Sequence, residues 1–114
     1  MHESALARQL LRVVIERAAA SGSARVTRVS GWVAETETLS RESLELHFSA
    51  AARGTIAEGA SLALELEHVR ARCSACSTEY APEHHVLSCP TCGDVGGELL
   101  GRTGIGIDSI DVRQ

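Results

Sequence analysis

The stretch Cys73-Ser-Ala-Cys76-Ser-Thr-Glu-Tyr-Ala-Pro-Glu-His-His-Val-Leu-Ser-Cys89-Pro-Thr-Cys92 decides how the chain is read, because it holds all four cysteines of the protein. Two Cys-x-x-Cys pairs separated by twelve residues can each turn two thiolates inward and close one tetrahedral shell at Zn–S distances of about 2.3 Å. The first expectation is a structural Zn(II) site with Cys73, Cys76, Cys89 and Cys92 as ligands. Disulfides would need an oxidising compartment, and the amino terminus carries no apolar signal-peptide core ahead of a small-residue cleavage site. Thioredoxin-like chemistry uses one Cys-x-x-Cys between a strand and a helix, whereas here two lie in a segment punctuated by Pro and Gly that reads as loop. Iron, as in a rubredoxin, suits the same closed thiolate shell and stays open beside zinc.

Working outward, residues 61–70 run directly into the first cysteine pair and form the cleanest strand pattern, Leu62, Leu64 and Leu66 alternating with Ala63, Glu65 and Glu67. Upstream, residues 4–20 place Leu6, Leu10, Val13 and Val14 at helical spacing with Arg8, Arg12 and Glu16 on other faces, and Gly22 follows the end. Residues 24–34 are rich in Val and Thr and contain Trp32, which predicts a strand whose alternation slips near Val29. A polar connection over 35–39 leads to Ser40 as N-cap, with Glu42 in the first turn and Leu44, Phe48 and Ala51 as the buried stripe of a second helix that Gly54 ends. Downstream, Ile105, Ile107, Ile110 and Val112 predict a third strand over 103–112 with a change of phase after Ile107. A strand this apolar should return to pair with the earlier ones. The expected fold is α+β, a small three-stranded sheet packed with two helices plus an inserted zinc-ribbon-like subdomain with four cysteine ligands. The expected domains are 1–70 with 101–114, and 71–100 as the insertion.

Composition bounds the function. The 114-residue chain has a formal charge of −4, which argues against a nucleic-acid partner, since phosphate neutralisation requires basic surface. Aromatic residues make up 3% (Trp32, Phe48 and Tyr80), so the core must come from Leu, Val, Ile and Ala, and a metal clamp would support so small a unit. No apolar run approaches the roughly 20 residues that span a bilayer, and Arg8, Arg12, Glu16 and Arg17 interrupt the first apolar stretch. A cytoplasmic protein with no membrane partner is expected. There is no Gly-rich phosphate loop, no Gly-x-Ser-x-Gly and no His-Glu-x-x-His. A four-thiolate zinc leaves no position for water. A non-enzymatic role is expected.

The amino terminus, Met1-His2-Glu3, offers different donors. A free α-amine, the deprotonated amide nitrogen of residue 2 and the His2 imidazole can close fused chelate rings whose nitrogen donors suit Ni(II) or Cu(II) rather than zinc. A motif this short also arises by chance, and the residues alone leave His2 open as an ordinary terminal side chain. His84 and His85, between the cysteine pairs, are candidates for alternate or outer metal ligands, although loop histidines commonly have no such role. His47 and His68 read as packing or edge residues. Glu35 and Glu37 offer oxygen ligands near the terminus, or a solvated loop.

Taken together, these residues resemble the HypA/HybF family of nickel-insertion accessory proteins for hydrogenase maturation. The resemblance lies in Met1-His2-Glu3, the apolar helix behind it, the Leu44-to-Phe48 helix, the Gly54-Thr55-Ile-Ala-Glu58-Gly59-Ala60 turn, the Leu62-to-Leu66 strand, the two cysteine pairs and the apolar last strand. It implies a nickel site at Met1, His2 and Glu3 and a zinc site at Cys73, Cys76, Cys89 and Cys92. It also implies work with a nickel-binding maturation GTPase (HypB-type), delivery of Ni(II) to the large subunit of NiFe hydrogenase, and in some organisms urease accessory proteins as partners. Two departures stand out. Many members have Gly-Glu where this chain has Gly31-Trp32, and some have a histidine directly after a cysteine pair, where Ser77 and Gly93 stand. A zinc-ribbon protein- or nucleic-acid-interaction module is the alternative, supported only by Arg53, Arg70 and Arg72.

Overall fold

A computed structural model describes residues 3–22, 24–36, 39–82 and 86–113. The expectations placed on Met1, His2, Glu37, His84 and His85 lie outside the described residues. The elements are α1 (Glu3–Ala20), β1 (Arg25–Glu35), α2 (Arg41–Ala52), β2 (Ser61–His68), β3 (Arg70–Arg72), β4 (Glu79–Tyr80), β5 (Glu98–Leu100) and β6 (Gly104–Arg113). Chain contacts divide them between two compact units: Met1–Val33 with Leu39–Leu66 and Ile105–Gln114, and Ala34–Thr38 with Glu67–Gly104.

In the first unit, α1 buries Leu6, Ala7, Leu10, Leu11, Val14 and Ala18, the three- and four-residue spacing of one helix face, while Arg8 and Arg12 are exposed. Helix α2 starts at Ser40, an extended N-cap whose Oγ accepts the Ser43 N–H at 3.2 Å, and it buries Leu44, Phe48 and Ala52. The two helices pack against each other and against one face of a sheet of order β2-β1-β6. The last strand therefore does return to the sheet, next to β1. Side chains reinforce that return: Thr27 Oγ1 donates to the Asp111 carbonyl at 3.1 Å, and Arg17 Nη1 donates to the Ile107 carbonyl at 2.8 Å.

The phase changes legible in the sequence are visible as burial. In β1, Val26 and Val29 are buried with Thr27 and Arg28 exposed between them, and the pattern then alternates through Gly31 and Val33. In β6, Ile105, Ile107 and Ile110 all pack against the core despite their uneven spacing. Phe48 is the aromatic centre of that core, which otherwise consists of Leu, Val and Ala. Trp32 has a different place. It is half-buried, and a side chain on Gly106 would overlap its indole, so the glycine lets the ring lie against the β6 backbone. No described helix is long and apolar enough to cross a membrane.

Candidate metal centre

The second unit is built around a sheet of order β4-β3-β5. Strand β3 pairs antiparallel with both neighbours, Ala71 facing Tyr80 on one side and Leu99 on the other. One small buried cluster gathers Ala71, Cys73, Tyr80 and Cys89, with Leu87 packed against them. A cluster of this size cannot hold a fold by apolar burial alone, so the unit needs a cross-link.

The cysteines supply one. Cys73 directly follows β3, and the first pair forms the turn of the β3–β4 hairpin. There the Cys73 N–H donates to the Thr78 carbonyl at 2.9 Å and the Ser77 N–H donates to the Cys73 carbonyl at 3.0 Å. The second pair repeats the pattern: the Cys89 N–H donates to the Asp94 carbonyl at 2.9 Å, and the Gly93 N–H to the Cys89 carbonyl at 2.8 Å. The residue after each pair is left-handed, with φ 63° at Ser77 and 76° at Gly93. Two equivalent knuckles thus present their thiols to a common centre. The Ser74 hydroxyl hydrogen-bonds the Gly96 carbonyl, tying the first knuckle to the segment after the second. Gly97 must lack a side chain, because a Cβ there would overlap the Tyr80 hydroxyl.

All four sulfurs lie within 4.8 Å of one another, with Cys73 and Cys92 at 3.5 Å and Cys76 and Cys89 at 3.6 Å. Cys73 and Cys89 are buried, Cys76 and Cys92 exposed, so each knuckle contributes one inner and one outer thiol. Their acidities are driven apart. The Thr78 hydroxyl, 3.2 Å from Cys76 Sγ, and then the Thr78 amide lower that thiol to about 6. At Cys92 the Asp94 amide pulls downward, but the Cys73 thiol, burial and the remaining thiols outweigh it and push the group up to about 12. Four thiolates this close cannot all ionise without a cation. A dication that displaces the remaining protons removes the conflict, and soft sulfur donors in a closed tetrahedral set fit zinc or iron. Tyr80 lies beneath this charge. Its hydroxyl is buried with no hydrogen-bond partner among the described residues, and burial, followed by the thiolate charges of Cys73 and Cys89, raises its pKa above the ordinary tyrosine value.

The left-handed positions give a prediction. Nothing lies within 4 Å of a Cβ built on Gly93, so Gly93→Ala tests backbone conformation alone. It should destabilise the metal-loaded unit by about 1 kcal/mol, while Ser77→Gly should not destabilise it. Chelator competition on the loaded protein measures both, and equal effects at the two positions would contradict the knuckle geometry.

The other candidates are dispersed. Glu35 Oε1 accepts from the Thr36 N–H at 2.8 Å and the Thr36 hydroxyl at 3.1 Å. His68 is exposed, with Nδ1 3.1 Å from the Val69 carbonyl, and His47 is exposed on α2. Arg53 belongs to the first unit and Arg70 and Arg72 to the second, where Arg72 lies 3.7 Å from its cross-strand neighbour Glu79. Glu3 opens α1, and its Oε2 accepts the Ser40 N–H at 2.7 Å. Sequence reasoning missed the β4-β3-β5 sheet, Tyr80 as the floor of the thiol cluster, and the Glu3–Ser40 contact. Glycine after the second cysteine pair was the one available signal for the knuckle geometry.

The family model described as "Hydrogenase/urease nickel incorporation, metallochaperone, hypA" matches residues 1–112. The hydrogenase maturation factor HypA of Xanthobacter autotrophicus is 36% identical, with 98% of this chain and 99% of that protein covered. The protein of the same name from Chlorobium phaeobacteroides is 35% identical at the same coverage. Among solved structures, the Ni metallochaperone HypA from Helicobacter pylori superposes with a TM-score of 0.63 at 18% identity, covering 98% of this chain and 97% of that one. That last likeness concerns the fold alone.

Proposed function

Because the chain belongs to the HypA family of hydrogenase/urease nickel incorporation metallochaperones, we propose that it carries Ni(II) on its amino-terminal Met1-His2-Glu3 and delivers it during maturation of the NiFe hydrogenase large subunit. The family match, which begins at residue 1 and runs to residue 112, carries this reading. Nickel is cargo. It is taken by nitrogen donors, the Met1 amine, the His2 amide nitrogen and the His2 imidazole, which favour tetragonal Ni(II). Each donor must lose or give up a proton site to bind, so protonation loosens the chelate and lets the ion pass to a recipient by ligand exchange. A nickel-binding GTPase is the proposed partner in that transfer.

The resident ion is Zn(II), held by Cys73, Cys76, Cys89 and Cys92. Zinc supplies a closed cross-link between the two knuckles and no open position for chemistry. The chain's own residues do the rest: the knuckle amides orient the sulfurs, and Ala71, Tyr80 and Leu87 shield the two inner ones. In functional terms, residues 1–70 with 101–114 form the nickel-binding domain and 71–100 the zinc-binding domain. The test is calorimetric titration with nickel of protein carrying a free Met1 amine. One nickel taken up per chain beside one tightly held zinc is expected, and no nickel uptake would dismiss the reading.

A further inference from the structure

We propose that the Glu3 carboxylate positions the terminal nickel site by holding the Ser40 amide, and is not itself a nickel ligand. The inference rests on the terminal-site reading above. Ser40 is the N-cap of α2: its Oγ accepts the Ser43 N–H at 3.2 Å, and its carbonyl accepts the Leu44 N–H at 3.0 Å. In a capping box the amide of the N-cap residue itself is taken by a Glu or Gln three positions on. That position is Ser43 in α2, and the glutamate is supplied by the other helix, Glu3 Oε2 accepting the Ser40 N–H at 2.7 Å. A box usually closed within one helix is here closed between two. Glu3 is also the acidic residue of the first turn of α1, so one carboxylate sits at two helix N-termini, where the aligned peptide dipoles favour negative charge.

This commitment assigns a role. A metal that drew the carboxylate away would leave the Ser40 amide without its partner and loosen the start of α2. The carboxylate instead fixes residue 3, so the two residues that precede it in sequence are attached to backbone already held in place. Chelation by their donors then loses less conformational freedom.

The test is nickel chloride titration of Glu3→Gln, Glu3→Ala and His2→Ala at about 0.15 M salt, where exposed charges are screened, with the Ser40 amide followed by NMR. A Gln side chain still accepts from the Ser40 amide but is a poor nickel donor. Glu3→Gln should therefore keep nickel affinity within about threefold, whereas Glu3→Ala should weaken it at least about tenfold and release the Ser40 amide to rapid exchange. Equal losses in the two variants would make the carboxylate a ligand, and full affinity in Glu3→Ala would confine the contact to capping α2. Either overturns the inference. Unchanged nickel binding in His2→Ala would instead overturn the terminal-site reading, whatever the Glu3 variants do.

Discussion

Cys73→Ser is expected to release the bound metal and unfold residues 67–104, while the unit built on α1, α2 and the β2-β1-β6 sheet stays folded. Cys73 and Cys89 are both 2% exposed, so a serine at either place removes a ligand and leaves a hydroxyl in a small apolar cluster. Structural zinc supplies an apparent binding energy of about 10–16 kcal/mol in isolated zinc-binding peptides. The apolar cluster around Ala71, Tyr80 and Leu87 offers far less, and single small cores contribute only about 3–5 kcal/mol at best. Loss of a buried ligand should thus be decisive, and loss of the exposed Cys92 milder, because water can reach the vacated position. Metal analysis and amide exchange measure the outcome together. Full metal content in Cys73→Ser, with β3 and β5 amides still protected, would show that the knuckles do not depend on a shared ion.

The same contrast between inner and outer cysteines explains what could and could not be read beforehand. Two Cys-x-x-Cys pairs at this spacing leave little choice about the centre, since four thiols must converge for either pair to bind a closed-shell ion. The surrounding sheet could not be read. Strands β3 and β5 have three residues each and β4 has two, too short for any period to register, and β3 pairs with its neighbours over only two and three residues. The main sheet was legible because Leu62, Leu64 and Leu66 alternate, and because the isoleucines of β6 had no other core to join. Its two irregularities, at Val29 and after Ile107, were visible as slips in spacing. The Glu3–Ser40 contact was not, since it joins residues 37 apart in sequence through one side chain and one backbone amide. No periodicity encodes such a contact, although the missing Glu or Gln at Ser43 is a trace of it.

His2→Ala should reduce nickel affinity by more than about a hundredfold with zinc content unchanged, a larger loss than the roughly 10–100-fold typical of groups that only orient a ligand. The imidazole closes one of the two fused rings of the proposed chelate, and no donor of similar reach follows it, because the Glu3 carboxylate is held by Ser40. Acetylation of the Met1 amine should be as damaging. It converts the terminal amine into an amide with no free amine beyond it and so removes a donor, while leaving every side chain in place. The pH dependence has a definite sign. Nickel must displace protons from an imidazole and an amine whose ordinary values are about 6.5 and 7.7–8.0, so affinity should fall as pH drops through that range and rise above it. The zinc shell should be insensitive over the same interval once loaded, since its thiolates are already committed to the ion. Calorimetric titrations across this range, on the free-amine, acetylated and His2→Ala proteins, separate the two sites. An acetylated protein that binds nickel as tightly as the free-amine one would remove the amine from the ligand set and with it the chelate.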